Sequence, residues 1–326
     1  MCTGSDGLHD ALLGDTGIRT SIIGLGGGQL ARNSLNVGVA TVRRAVDLGV
    51  TYFDSAPAYE QGASQVIMGI GLQDAPDECV LATKIGYLGT PELHRSQDAC
   101  MAQLYENLRS LQRPSVDILQ VHLVERAAWW KKDASINEVI SIDDQYNFAQ
   151  SPVMQFLQAA REQALCKYTG ITSDRADLMT LILPKVDVDI CLVAYAYNLI
   201  YRSGANRVLP LARKQGAAYL TAGIFYPALA GEQQDLISDN NTEIAPDIRK
   251  CLASIYAIQR ETDISLVELG IRYLIADNNI STILVGAATP SEIEECVVAG
   301  EKGPLPADIH DALDTIGLDS FAQLPV

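Results

Sequence analysis

Four side chains with complementary proton chemistry stand at the ends of three short apolar runs. Thr51-Tyr52-Phe53 delivers Asp54, and the tight loop Ser55-Ala56-Pro57-Ala58 then presents Tyr59. Val80-Leu81-Ala82-Thr83 delivers Lys84, and Val116-Asp117-Ile118-Leu119-Gln120-Val121 delivers His122. A phenol with its ordinary pKa near ~10 is a poor acid at neutral pH. A cation held against it favours the phenolate and lowers that value. Lys84 is the candidate cation. A buried lysine tends to lose its proton unless a carboxylate partners it, and Asp54 is the candidate partner. His122 can donate a hydrogen bond to a carbonyl oxygen and fix its position. Such a set gives a proton to a carbonyl oxygen, or takes one from a hydroxyl, while a hydride moves. No side chain carries a hydride, so a nicotinamide cofactor is implied.

Taken singly, each residue has a plain structural explanation. Asp54 could cap a turn, Tyr59 anchor a loop, Lys84 end a strand in water, and His122 sit in a core. Their joint placement on three consecutive strand ends is what favours the chemical reading.

The elements that position them alternate. An N-terminal hairpin (Leu12 to Ile18, then Ser21 onward) runs into a first buried strand ending at Gly26. Gly26-Gly27-Gly28 then allows a turn or the close approach of a ligand. Helical spacing over 37–48 and 64–72 brackets the strand that ends at Asp54. The strand 79–83, the helix 96–111 and the strand 116–121 follow. Residues 123–150, with Trp129-Trp130-Lys131-Lys132, are too long for an ordinary connection and read as a functional loop. Alternation resumes with helix 154–163, strand 168–172, helix 174–183 (its first residues available as caps), strand 188–195, helix 207–215 and strand 217–222. A polar stretch over 231–245 leads to helices near 247–261 and 265–277, strand 280–285 and helix 291–299. The tail from Lys302 carries a short helix and an irregular end. Eight strands alternating with helices, with no linker, predict one α/β domain over residues 1–326. The expected fold is a (β/α)8 TIM barrel with a short N-terminal β-hairpin, whose reactive groups stand at the C-terminal strand ends. An open doubly wound sheet is the alternative, and Gly24-Leu25-Gly26 meets its glycine fingerprint only in part.

Composition narrows the partners. The 326 residues are 48% hydrophobic, which suits a large core. Lys plus Arg number 24 against 40 Asp plus Glu, a formal charge of −16 that repels nucleic acid and anionic lipid. The first ten residues lack the basic and apolar regions of a leader, and no run approaches the ~18 apolar residues of a membrane span. Seven cysteines without CxxC spacing point to reduced thiols in the cytoplasm. Four histidines without HxH or HExxH spacing argue against a metal site.

At this point the chain resembles the aldo-keto reductases, from its hairpin to its last helix. The resemblance rests on Phe53-Asp54-Ser55-Ala56-Pro57-Ala58-Tyr59, Thr83-Lys84, Gln120-Val121-His122, Gly170-Ile171-Thr172-Ser173 and Gly286-Ala287-Ala288-Thr289-Pro290. It implies NAD or NADP bound in extended form without a Rossmann motif. It assigns Tyr59 as general acid/base, Lys84 and Asp54 as its tuning pair and His122 as carbonyl orienter. It implies cofactor contacts at Gly26, Gly27, Thr172, Ser173, Gly223, Phe225, Gly286, Thr289 and Glu292. The departures from the family pattern lie on the cofactor side. Ser173 replaces an asparagine, Ala194 a glutamine and Ala222 the ring that stacks on nicotinamide. Glu292 stands where NADP-binding members carry a base, so NAD is expected over NADP. Tyr195-Ala196-Tyr197-Asn198 is similar to the sugar dehydrogenase branch (L-galactose, L-fucose and D-threo-aldose dehydrogenases), which oxidises an anomeric hydroxyl to a lactone.

The expected substrate is therefore a small carbonyl compound or sugar. Trp129 and Trp130 would cover it, with Tyr87 opposite; the other reading packs both tryptophans onto the rim. Two alternative functions use the same barrel: a redox-neutral lyase or isomerase, and a low-turnover regulatory binding protein. The sequence leaves the oligomeric state open.

Overall fold

Strands buried on both faces require near-continuous runs of branched apolar residues, and such runs here close into a parallel barrel. The computed structural model describes residues 8–238, 241 and 244–320. Cys2 and most of the opening read for a leader lie outside the described residues, as do parts of the polar stretch and the last residues of the tail. The strands are β1 (Asp10–Leu12), β2 (Arg19–Ser21), β3 (Ile23–Gly26), β4 (Tyr52–Asp54), β5 (Val80–Ile85), β6 (Val116–Val121), β7 (Cys166–Ser173), β8 (Ile190–Ala194), β9 (Ala218–Ala222) and β10 (Thr282–Gly286). β1 and β2 form the antiparallel hairpin. β3 to β10 form the barrel in sequence order, closed by β10 against β3 with Gly286 opposite Gly26.

The hairpin stoppers the barrel. Leu13 is fully buried among the inward-facing Tyr52, Ala82, Ile118, Leu192, Leu220 and Leu284. Its turn lies on the chain before β9, where the Asp15 amide donates to the Gly216 carbonyl at 2.8 Å. Gly14 is required there. Its φ is +52°, and a Cβ would come within 2.4 Å of the Gly216 oxygen.

Helices wrap the outside, several of them started by a hydroxyl that accepts an otherwise unpaired amide. Ser34 caps Leu35–Asp47, Ser96 caps Gln97–Leu111, Ser265 caps Leu266–Ile275 and Thr289 caps Pro290–Glu301. Two helices differ from expectation. The one expected from Asp174 spans Ala176–Ile182 and has no side-chain cap, because the Asp174 amide and the Ser173 hydroxyl turn to Glu125 instead. The one expected from Arg207 opens with a π turn, Gly204–Val208, before Leu209–Lys214.

Candidate active site

Register brings the predicted groups together. Directly paired residues of parallel strands face the same side, and Lys84 pairs with Gln120 while Gly26 pairs with Asp54. Asp54, Lys84 and Gln120 therefore share one face, where Lys84 and Gln120 both meet the Asp54 carboxylate. The Lys84 ammonium, 1% exposed, makes an ion pair with Asp54 Oδ1 and donates to the Ser55 carbonyl at 3.1 Å. Gln120 Nε2 donates to Asp54 Oδ2 at 2.8 Å, so both carboxylate oxygens are held. The Asn107 amide donates to the Lys84 carbonyl at 2.8 Å, fixing the strand. The loop to Tyr59 is tied down as well. Ser55 and Ser64 share a hydrogen bond at 2.9 Å, and Ser64 donates to the Gly27 carbonyl at 2.8 Å.

The rings gather above this pair. Lys84 Nζ lies 4.8 Å from the centre of the Tyr59 ring. The His122 ring meets Tyr59 edge-on at 5.7 Å and Tyr87 at 5.2 Å. Burial pushes the Tyr59 phenol up, and Lys84 opposes this without reversing it. The expected downward shift is thus outweighed, and the phenol is protonated at neutral pH. Burial pulls Lys84 down, but Asp54 and Tyr59 together hold its proton more tightly than usual. Burial, with Lys84 and Arg126 nearby, keeps His122 well below its ordinary value and neutral. Its Nδ1 is buried without a protein partner.

The rim is strained. Tyr87, Leu123 and Tyr195 follow β5, β6 and β8 at φ of +58°, +56° and +62°, a region costly for non-glycine residues and enriched at functional sites. Gln103 fixes the first of these by accepting from the Gly86 amide and donating to its carbonyl, both at 2.9 Å. The Arg126 guanidinium lies over the Tyr87 ring, 4.8 Å from its centre. After β7, Ser173 Oγ donates to Glu125 Oε2 at 2.7 Å and the Asp174 amide to Oε1 at 3.1 Å. Burial and neighbouring Asp174 push the Glu125 carboxyl up to about 7.

The residues expected at the cofactor are dispersed along the other side. Gly26 and Gly286 end adjacent strands and leave them bare. Gly27 is there for packing, since a Cβ would meet Ser64 Oγ at 2.3 Å, whereas Gly28 opens onto free space. Thr172 is buried and its hydroxyl accepts from the Leu123 amide at 3.2 Å; Ser173 is engaged with Glu125. The Ser173 proton is thus committed, whereas Thr172 only accepts and keeps its own O–H to donate. Gly223, at φ +59°, lies against the Tyr195 ring, which a Cβ would approach to 2.5 Å. The Phe225 ring packs against Gly270, where a Cβ would come within 3.1 Å of it. Thr289 caps its helix, and Glu292 Oε2 accepts from the Ala288 amide at 2.8 Å.

Tyr87 is half exposed and borders the mouth, but the tryptophans do not cover it. Trp129 is fully buried, donates to the His122 carbonyl at 3.2 Å and meets His94 edge-on. Trp130 donates to the Val124 carbonyl at 2.7 Å and packs on Phe148. These contacts fasten the long loop to the rim and favour the packing reading over the lid. Gln120, Glu125, Arg126 and Asp174 were missed as site residues. For Gln120 the signal was present: two residues before His122, it shares the inward face of β6.

A cavity of about 520 Å³, lined by His9, Asp15, Arg19, Arg213 and Asp277 among others, lies under the hairpin at the opposite end of the barrel from these groups. Among the described residues no set of His, Cys, Asp and Glu is arranged to hold a metal, and no helix is long and apolar enough to cross a membrane.

Comparison with known proteins accords with this geometry. The chain is 25% identical to a pyridoxal 4-dehydrogenase of Microbacterium luteolum, over 94% of this chain and 97% of that protein. It is 27% identical to the L-galactose dehydrogenase of Arabidopsis thaliana, over 88% and 86%. An aldo-keto reductase of Bacillus halodurans, in its holo form, superposes with a TM-score of 0.73 at 19% identity, covering 97% of this chain and 98% of that one. Residues 22–317 match the model of the Aldo/keto reductase family, and the chain belongs to that family.

Proposed function

We propose that this aldo/keto reductase family member interconverts a carbonyl and a hydroxyl on a small polar substrate, a sugar or similar ring, with NAD(H) preferred over NADP(H) and Tyr59 as general acid/base. The observation that carries the reading is the hydrogen-bonded line Gln120–Asp54–Lys84, which ends beneath the Tyr59 ring beside a neutral His122. The dehydrogenase relatives support the substrate class.

The residues on the far side of the rim suit the cofactor. Ala194, Ala222, Gly286 and Gly26 leave a shelf without projecting side chains, and the buried Gln29 Oε1 beside it lacks a protein donor. When bound, the nicotinamide supplies or accepts the hydride. Everything else falls to this chain. In reduction the Tyr59 hydroxyl gives its proton to the carbonyl oxygen, and Lys84 stabilises the phenolate that remains. Asp54, held by Gln120, keeps Lys84 charged. Neutral His122 has one N–H to donate to the same oxygen. In oxidation the proton returns to the phenolate. Since burial raises the Tyr59 pKa, oxidation should accelerate with rising pH through the alkaline range and reduction should slow there. Glu292 supports the NAD preference. One oxygen caps the Ala288 amide, and the carboxylate leaves a negative charge where a 2′-phosphate would need a positive one.

Tyr59→Phe tests the chemistry. Turnover of nicotinamide absorbance against aldoses and aldehydes should fall about 10²–10⁴-fold while NADH affinity holds; retained turnover would remove Tyr59 from its role. Fluorescence titration with NADH and NADPH tests the cofactor, and tighter NADPH binding would overturn the preference.

A further inference from the structure

Several features of the rim are accounted for by the fold or by the proton machinery, but the guanidinium of Arg126 is not. We propose that Arg126 selects the substrate, and that the natural substrate carries a carboxylate a few carbons from the reacting centre, as a sugar acid or aldehyde acid does. This rests on the oxidoreductase reading above for which atoms react, but not for what binds.

Arg126 is fixed rather than adrift. Its backbone pairs with Val139 across the long loop, and Nη1 donates to the Ile136 carbonyl at 3.3 Å and to Asn137 Oδ1 at 3.1 Å. The plane lies over Tyr87, whose ring is itself edge-on to His122. The fold does not use up the fork. Among the described residues Nε is buried without an acceptor, an unfavourable state that an incoming anion can relieve. Two cations act on His122, and the other, Lys84, is paired with Asp54. Arg126 is thus the cation whose fork keeps an unused donor. Its planar donors match a carboxylate in a way a neutral polyol does not exploit. The chain as a whole, at −16, repels anions, so an anionic substrate needs a local cation of this kind.

Distance sets the size. Arg126 Cζ is 4.8 Å from the Tyr87 centroid and that centroid 5.2 Å from the His122 ring, so the guanidinium can be no farther from His122 than those two steps end to end. Allowing a hydrogen bond of ~3 Å at each end leaves at most ~4 Å, room for no more than about three carbon–carbon bonds of ~1.5 Å. Asp174 faces the same space and is acted on by Arg126. It is the intramolecular competitor for the guanidinium, and a bound carboxylate must outbid it.

The experiment is calorimetric titration of the full chain with D-glucuronate and with D-glucose, each with and without NADH. It is run on wild type, Arg126→Gln and Arg126→Lys. The proposal expects wild type to favour glucuronate by about tenfold or more. It expects that ratio to collapse in Arg126→Gln and to survive in part in Arg126→Lys, which keeps the charge. Equal affinity for the two sugars in wild type, no binding of glucuronate, or a ratio unchanged in Arg126→Gln would each overturn it. The wild-type ratio holds the test open should a variant misfold. A parallel absorbance screen for nicotinamide turnover keeps the two readings apart. Preference without turnover sinks the oxidoreductase reading alone, and turnover without preference sinks the role of Arg126 alone.

Discussion

On one side of the barrel mouth, β4, β5 and β6 turn Asp54, Lys84 and Gln120 inward; on the other, β8, β9, β10 and β3 end in Ala194, Ala222, Gly286 and Gly26. Both halves are made of the same strands under the same helices, yet they are completed in opposite ways. The charged half is finished mostly by the protein itself, with Gln120 Oε1 the buried atom left without a donor among the described residues. Both Asp54 oxygens, the Lys84 ammonium and the strand carbonyl behind it all have partners within the chain. Among the described residues no polar side chain completes the small-residue half in this way, and Gly286 at its end is exposed. A polar core must satisfy its own groups, because a buried charge without a partner is expensive. A ligand shelf must leave its groups unsatisfied until the ligand comes. Substitutions on the charged side should therefore cost folding stability, and those on the shelf should cost binding.

The largest effect is expected at Lys84→Met. It leaves the Asp54 carboxylate buried with only Gln120 beside it, and loss of one partner of a buried pair costs about 3–5 kcal/mol. Urea unfolding should show this loss, together with collapse of turnover. The double variant Asp54→Leu with Lys84→Met should recover a large part of the stability and none of the activity. If Lys84→Met alone unfolds like wild type, the charged half is not a buried network and the contrast is wrong.

Next comes the shelf. Ala222 is half-buried at the end of β9, opposite Ala194. Ala222→Leu should weaken NADH binding by about tenfold or more, the ~1.4 kcal/mol equivalent, while unfolding stability moves by less than about 1 kcal/mol. A variant that binds NADH as wild type does would show that the bare half is not where the nucleotide lies.

Much of this division was legible in the residues. Short runs of Val, Ile and Leu ending in a reactive group gave the barrel and its charged half, because strand burial and strand ends both leave marks in sequence. The register did too, in that the period of two puts Gln120 and His122 on one face. Glu125, Arg126 and Asp174 were not legible. They lie in loops, where no period says which way a side chain turns, and their importance depends on strands adjacent in space rather than in sequence. The tryptophans left two readings open for a related reason. Indole rings suit a substrate lid and a loop anchor equally well, and only the acceptors found by Trp129 and Trp130 decide between them. Ser173 shows the same limit, since its hydroxyl donates to Glu125.

Glu125 gives a third test, at the seam between the halves. Its carboxyl is pushed from the usual carboxylate range up to about 7, so between about pH 4.5 and 7 the folded state holds a proton that the unfolded state has lost. Stability from this group must then fall as pH rises through that window, by at most about 3 kcal/mol for a shift of this size. Glu125→Gln should flatten the slope in melts taken from pH 5 to 8. An identical slope in the variant would assign the pH dependence elsewhere.

The smallest effect concerns the loop. Trp130 donates one hydrogen bond to the Val124 carbonyl and stacks edge-on against Phe148, 4.9 Å between centres. Trp130→Phe keeps most of the ring and loses the donor, so unfolding should become easier by about 1 kcal/mol, the net worth of one such bond. If the indole only fastens the loop, KM for every substrate in the panel should stay where it was. If it covers bound substrate, KM should rise most for the bulkiest sugars while stability hardly changes. The two outcomes separate an anchor from a lid, because an anchor acts on the free protein and a lid acts only when something lies beneath it.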